Sequence, residues 1–161
     1  MMLNMSLICG GIIVLLWGIF GFPRKFGKAK VVSDQKCSED ATVCPQDWKR
    51  INKNCFFLSE REATWANSQA DCMIQCGTLA IIHLRNDLES LMEYTEPFAY
   101  WFGLSKQNEN KIWTWANGDL FINWFHIEEG GDCAFMYKKG ISSANCSDAR
   151  KYICSRKGIC T

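Results

Sequence analysis

The chain opens on an uninterrupted apolar run, Leu7 to Phe22, of about 16 residues without a charge. From 24 to 43 the residues turn polar and lose apolar periodicity, which reads as a short stalk. A folded pattern begins near Cys44. Cys55-Phe56-Phe57-Leu58 reads as a strand, and Thr64 to Cys76 as a helix with Trp65, Ala66, Ala70 and Met73 turned inward and Gly77 as its C-terminal cap. A second helix is predicted over Asp87 to Thr95, with Asn86 as N-cap, Glu89 three positions on, Leu88, Leu91 and Met92 inward, and a stop before Pro97. Beyond it the apolar runs are short. Tyr100 to Leu104, Lys111 to Trp115, Cys133 to Tyr137 and Lys151 to Cys154 are separated by polar turns such as Asn117-Gly118-Asp119. The order predicts an α+β fold with two early helices and a second half of strands and loops.

The apolar run is short against the ~17 to 25 residues of a spanning helix. Two readings stay open, an uncleaved signal-anchor over 7–23 behind a tail of 1–6, and a cleaved signal of a secreted protein. Against cleavage, no basic residue precedes the run and no good small-x-small site follows it. Against a simple anchor, Arg24, Lys25, Lys28 and Lys30 follow the run, which by the positive-inside rule would put the N-terminus outside. The run holds no Lys or Arg with which to engage an adaptor helix, and the tail has no tyrosine motif, so an anchored chain would present a surface rather than signal.

Composition narrows the class. Those four residues leave 14 of the 18 basic residues against all 17 acidic ones from Val31 onward, and this mildly acidic balance argues against nucleic acid. Ten cysteines without paired C-x-x-C knuckles point to disulfides in an oxidising compartment, and to no metal cofactor. An enzyme would need a nucleophile with a base, a carboxylate pair or a metal cluster, and none stands out. His83 and His126 are far apart without metal-ligand spacing and read as ordinary surface or partly buried histidines. Trp113 and Trp115 share a strand face, which could form a base-stacking or glycan platform or pack as core. Asn4-Met5-Ser6 and Asn145-Cys146-Ser147 match the N-glycosylation pattern, but the first lies before the apolar run and the second carries a cysteine.

The spacing of Cys44-Pro45-Gln46-Asp47-Trp48, Cys55-Phe56-Phe57, Trp65 with Cys72, Trp101-Phe102-Gly103-Leu104, Trp113-x-Trp115-x-Asn117-Gly118, Cys133, Cys146 and Cys154 resembles the C-type lectin-like domain. That resemblance implies a single such domain over 44–157, with two helices, antiparallel sheets, three framework disulfides and a C-terminal tail of 158–161. It also implies the pairs Cys44 with Cys55, Cys72 with Cys154 and Cys133 with Cys146. Of the rest, Cys9 lies in the apolar run. Cys37, Cys76 and Cys160 remain, and two schemes stay open: Cys76 with Cys160 and an interchain bond at Cys37 that makes a homodimer, or Cys37 with Cys160 and Cys76 exposed.

Lys139 to Ala144 and Arg150 to Cys154 resemble one subgroup, that of activation-induced C-type lectin, lectin-like transcript and osteoclast inhibitory lectin. The lymphocyte early-activation antigen is similar at Asn117-Gly118 and Asn123-Trp124-Phe125. The resemblance implies a cell-surface ligand, single-pass and type II, recognised without calcium by lectin-like receptors on natural killer or T cells. By the same resemblance the contact residues are Phe135, Lys138, Lys139, Asn145, Arg150 and Lys151. Asn145 departs from the basic residue of some relatives, which bears on which receptor is bound. Sugar-binding relatives hold calcium with a proline-containing loop and a motif before the third core cysteine. Here the first region reads Asn123 to Asp132 without proline, and in the second only Asn145 could be a ligand. Glu128, Glu129 and Asp132 read as a solvated loop. The alternatives are calcium-independent glycan binding, a secreted form, and a viral decoy copy of a host ligand, whose physics would be the same.

Overall fold

A computed structural model describes residues 42–160. The expected tail (1–6), the signal-anchor (7–23), nearly all of the stalk, Cys9 and Cys37 lie outside the described residues. Among the described residues no helix is long and apolar enough to cross a membrane.

The elements run β1 (Thr42–Val43), β2 (Lys49–Ile51), β3 (Asn54–Leu58), α1 (Trp65–Ile74), β4 (Thr78–Leu79), α2 (Arg85–Thr95), β5 (Tyr100–Ser105), β6 (Thr114–Trp115), β7 (Cys133–Tyr137), β8 (Gly140–Ala144), β9 (Lys151–Lys157) and β10 (Ile159–Cys160). The main sheet has the order β2-β3-β9-β5-β7-β8, with β4 on β9 and β6 on β5. All its pairings are antiparallel except β5 with β9. β1 pairs with β10, Val43 opposite Ile159, so the two ends of the domain lie side by side.

Strand alternation sends residues to two cores. On one face Phe56, Tyr100, Phe102, Met136 and Ile153 pack with Leu88 and Leu91 of α2. On the other, Trp101, Tyr152 and Cys154 pack with Trp65 and Cys72 of α1. The expected framework disulfides are present: Cys44–Cys55, Cys72–Cys154 and Cys133–Cys146, with Cα separations of 5.5, 5.4 and 5.1 Å. The Cys72–Cys154 closure spans 82 positions and contributes on the order of 4 kcal/mol in chain-entropy terms. Cys76 is disulfide-bonded as well, which departs from the scheme that leaves it exposed; its partner lies outside the described side chains.

The helices differ from expectation at their faces and ends. α1 starts where predicted, Thr64 accepting from Asn67 N at 3.2 Å, but its buried face is Trp65, Ser68 and Cys72, while Ala66, Ala70 and Met73 are exposed. A serine can line that face because its Oγ donates to Thr64 O at 2.7 Å. Gly77 is not the left-handed cap. Cys76 takes that conformation, with φ 62°. Gly77 is required because a Cβ there would stand 2.7 Å from Ser155 O. α2 begins at Arg85 with Leu84 as N-cap and no side-chain cap, so Asn86 lies inside the helix.

The first turn of α2 holds Asp87, 1 % exposed, whose carboxylate accepts from Asn52 Nδ2 and, at 3.5 Å, from Asn54 Nδ2. Asn52 sits in the β2–β3 turn with φ 53°, so this carboxylate pins the hairpin to the helix while complementing its dipole. Asp87→Ala is expected to cost about 1–3 kcal/mol in urea unfolding. A loss indistinguishable from zero would mean the hairpin is held elsewhere.

Candidate functional site

The backbone places the first of the six expected contact residues. Ala63 and Arg150 exchange N–H···O bonds of 2.9 and 3.1 Å, fixing Arg150 just before β9. Trp101 of β5 lies opposite Phe135 of β7, their rings edge-on at 6.0 Å. The Arg150 guanidinium stands over both, 4.7 Å from the Trp101 ring and 4.5 Å from that of Phe135, and donates to Asp148 at 3.1 Å. An arginine stacked in this way and tied to a carboxylate has lost much of its rotamer freedom before any partner arrives.

Because alternate residues face opposite sides of a strand, Lys151 points to the α2 side. Its ammonium lies 4.0 Å from the Phe98 ring, which is 48 % exposed. Lys138, in the β7–β8 turn, pairs with Glu96, which raises the lysine's pKa. Lys139 follows it in the turn, exposed. Five of the six residues therefore surround one end of the sheet, where β5 and β9 begin and β7 turns into β8. Asn145 does not join them. It follows the far end of β8, roughly 13 Å away along a five-residue strand, and its Oδ1 accepts from Ser147 N at 3.0 Å. The sequence reading missed Glu96 and Phe98; an aromatic placed directly after Pro97, beyond the helix stop, was the available signal.

Behind this end, on the α1 side, Arg61 Nε donates to the Tyr152 hydroxyl at 3.0 Å, and that hydroxyl donates to Asp71. The hydrogen bond from Arg61 holds the Asp71 carboxyl below its usual range. Burial, then the bond to Asp71, pushes the Tyr152 phenol up. The hydroxyl thereby ties β9 to Arg61 and to Asp71 of α1.

The loop between β6 and β7 is exposed at Glu128 and Glu129, as expected of a solvated surface, and carries two ion pairs. Lys106 reaches Glu129 at 3.2 Å with its ammonium 5.2 Å from the Trp113 ring, and Lys111 reaches Asp132 at 2.5 Å. Gly130 N and Gly131 N donate to Ser143 Oγ at 3.0 and 3.2 Å, and that hydroxyl donates to Glu128 O at 2.8 Å. A Cβ on Gly131 would stand 2.1 Å from the Ala144 carbonyl carbon, so only glycine lets the loop lie this close to β8. Two of the three loop carboxylates pair with ammonium groups, Asn145 Oδ1 accepts within a local turn, and among the described residues no group of three His, Cys, Asp or Glu side chains is placed to hold a metal ion. Beside this loop Trp113, Phe121, Trp124, Phe125, Asn123 and His126 line an open cleft of about 540 Å³. Trp115 is core, Trp113 partly so, and His83 and His126 are exposed.

The family described as Lectin C-type domain matches residues 61–156. Among curated proteins, human C-type lectin domain family 2 member D is 34 % identical over 76 % of this chain and 66 % of its own length. Mouse early activation antigen CD69 is 31 % identical over 71 % of this chain and 57 % of its own. The chain thus aligns with somewhat over half to about two thirds of these relatives. Among solved structures, the mouse scavenger receptor C-type lectin carbohydrate-recognition domain superposes with a TM-score of 0.65 at 19 % identity, over 73 % of this chain and 99 % of that one. The C-type lectin domain of murine dendritic cell inhibitory receptor 2, solved in complex with N-glycan, gives 0.63 at 20 % identity, over 71 % of this chain and 99 % of that one.

Proposed function

Since the chain belongs to the C-type lectin domain family and is related to C-type lectin domain family 2 member D and early activation antigen CD69, we propose that it is a non-catalytic cell-surface ligand for lectin-like receptors on natural killer or T cells, bound by protein contact without calcium. The observation that carries this reading is the prearranged end of the sheet, with Arg150 stacked on Trp101 and Phe135 and with Lys138, Lys139 and Lys151 around it. An aromatic-backed arginine supplies a desolvated anchor, and the lysines steer and select an acidic partner. Asn145 is proposed as a peripheral contact. Calcium independence rests on Lys106 and Lys111, which place fixed cations against the loop carboxylates. A type II orientation, with 7–23 as anchor and the domain over 44–157, and a homodimer through Cys37 complete the proposal.

The test is binding to a panel of natural killer lectin-like receptors, repeated in chelator. Saturable binding that survives chelator and weakens roughly tenfold or more on Lys139→Glu is expected. In parallel, Tm should not move with added calcium, because only a ligand of the folded state shifts it. Binding to no receptor, or saturable stabilisation by calcium, overturns the reading. The cleft at Trp113 and Trp124 favours a second reading, glycan binding without calcium; a glycan-array signal that survives chelator and disappears on Trp124→Ala would select it.

A further inference from the structure

The hairpin from Ile112 to Ile122 has one closed side and one open edge. Trp113 O accepts from Phe121 N at 3.1 Å and Asp119 O from Trp115 N at 2.8 Å. Thr114 therefore lies opposite Leu120, and the same register puts Ile112 opposite Ile122. The side towards the sheet is closed. β5 pairs with Thr114 and Trp115 there, and the Asn108 side-chain amide bonds both backbone groups of Ile112, at 3.0 and 2.6 Å. Leu120 and Ile122 direct their N–H and C=O groups the other way. Among the described residues none of these groups has a hydrogen-bond partner.

Alternation divides the side chains of this hairpin between two faces. Trp113, Trp115 and Phe121 turn to the core, while Ile112, Leu120 and Ile122 share the outer face, 47, 65 and 80 % exposed. Positions 120 to 122 hold no charge and no proline, the devices that ordinarily guard a sheet edge. At one end of the edge the Asp119 carboxylate accepts from Asn117 Nδ2 at 2.8 Å. At the other Asn123, with φ 54°, ends the extended run.

From this edge we infer that two copies of the chain associate through it, strand against strand and antiparallel, about a two-fold axis at Phe121. That register sets Leu120 opposite Ile122 of the other copy, and each such pair exchanges N–H···O bonds in both directions with the groups that point outward. A slip by one residue would present Phe121, whose N–H already bonds within the hairpin. The side chains match as well: aliphatic meets aliphatic, and Asp119 meets an asparagine rather than a like charge. A second copy fits better than a lipid surface because the edge carries directional donors and acceptors that another strand satisfies. The contact is isologous and closes at two copies. It needs neither Cys37 nor the Arg150 end of the sheet.

The test is sedimentation equilibrium of the full-length protein in mild detergent, carried out as Cys37→Ser so that no interchain bond at that position sets the mass. The mass is expected to rise with concentration towards twice that of the smallest species. Leu120→Lys/Ile122→Lys sets lysine against lysine in this register and should hold the smaller mass throughout. Leu120→Lys/Ile122→Glu sets each lysine against a glutamate of the other copy, so association should return and weaken with added salt. Ile74→Lys, an exposed aliphatic of α1, should behave as the parent. Every altered side chain is exposed, so each variant should keep the parent's Tm, which separates loss of contact from loss of fold. A single mass for the parent up to about 0.1 mM overturns the pairing. So does association that survives the double lysine variant, or that fails to return in the Lys/Glu variant. A parent of single mass that binds phosphatidylcholine vesicles, and loses them in the double lysine variant, assigns the face to lipid instead.

Discussion

Trp101→Ala is expected to lower stability by about 3–5 kcal/mol, which at roughly 4 °C per kcal/mol for a domain of this size places Tm about 12–20 °C lower. The side chain is 0 % exposed in the core between the sheet and α1. Its indole N–H donates to Ala63 O at 3.0 Å, the residue whose backbone also fixes Arg150. Alanine therefore removes a large buried ring, leaves a part-buried carbonyl short of a donor, and takes away half of the platform under the arginine. Trp101→Phe keeps most of the ring area and loses the hydrogen bond, so it should cost distinctly less. Calorimetry on the two variants separates these contributions. A loss below about 1 kcal/mol for alanine would mean the ring is not the keystone that its burial indicates.

The same residue shows what the sequence could convey. The apolar run Tyr100 to Leu104 was legible as a strand, the resemblance implied that it is core, and all five residues are buried. The framework cysteines were legible only through resemblance, since pairing is a matter of three-dimensional proximity that spacing does not encode. Helix α1 was legible in extent but not in facing. Its alanines carry too little apolar area to mark a side, and Ser68 satisfies its own hydroxyl within the helix. Position 76 was illegible for a different reason. Glycine at 77 is the stronger cap signal by propensity, yet the close approach of Ser155 claims that glycine and leaves the left-handed turn to Cys76.

The candidate site follows the same division. Residues adjacent in sequence, Arg150 with Lys151 and Lys138 with Lys139, were seen as charged groups. What they rest on comes from elsewhere in the chain: Glu96 and Phe98 from the end of α2, Trp101 from β5. The lysines that meet the loop carboxylates are equally remote, 23 positions separating Lys106 from Glu129 and 21 separating Lys111 from Asp132. The acidic cluster is solvated, as read, and the fold adds the counter-charge that its sequence neighbourhood lacks. Asn145 is the converse case. It is close to Arg150 in sequence, but the five-residue strand β8 carries it to the opposite end from the basic turn, so the fold sets it apart from the other five positions that the resemblance implied.

Glycine positions give the other large expected effect. Gly103→Ala should destabilise by more than about 3 kcal/mol or abolish folding. Gly103 N donates to Ala80 O at 2.9 Å, and a Cβ on this residue would stand 2.5 Å from Leu79 O and 2.8 Å from Ala80 O. Both obstacles are backbone, tied into the sheet by Leu79 opposite Cys154 and by Ala80 N on Ile153 O, so neither can rotate away as a side chain would. Relief would require β5 to withdraw from β4, opening the junction between the two cores. Gly140→Ala is the matched control, because a Cβ there meets nothing within 4 Å and its backbone lies outside the left-handed region. It should stay within about 0.5 kcal/mol of the parent. Urea unfolding of the pair therefore distinguishes steric exclusion from the general entropy of glycine: similar small effects at both positions would remove the case for close approach, whereas a large loss at 103 alone shows that two strands meet there with no room for a methyl group.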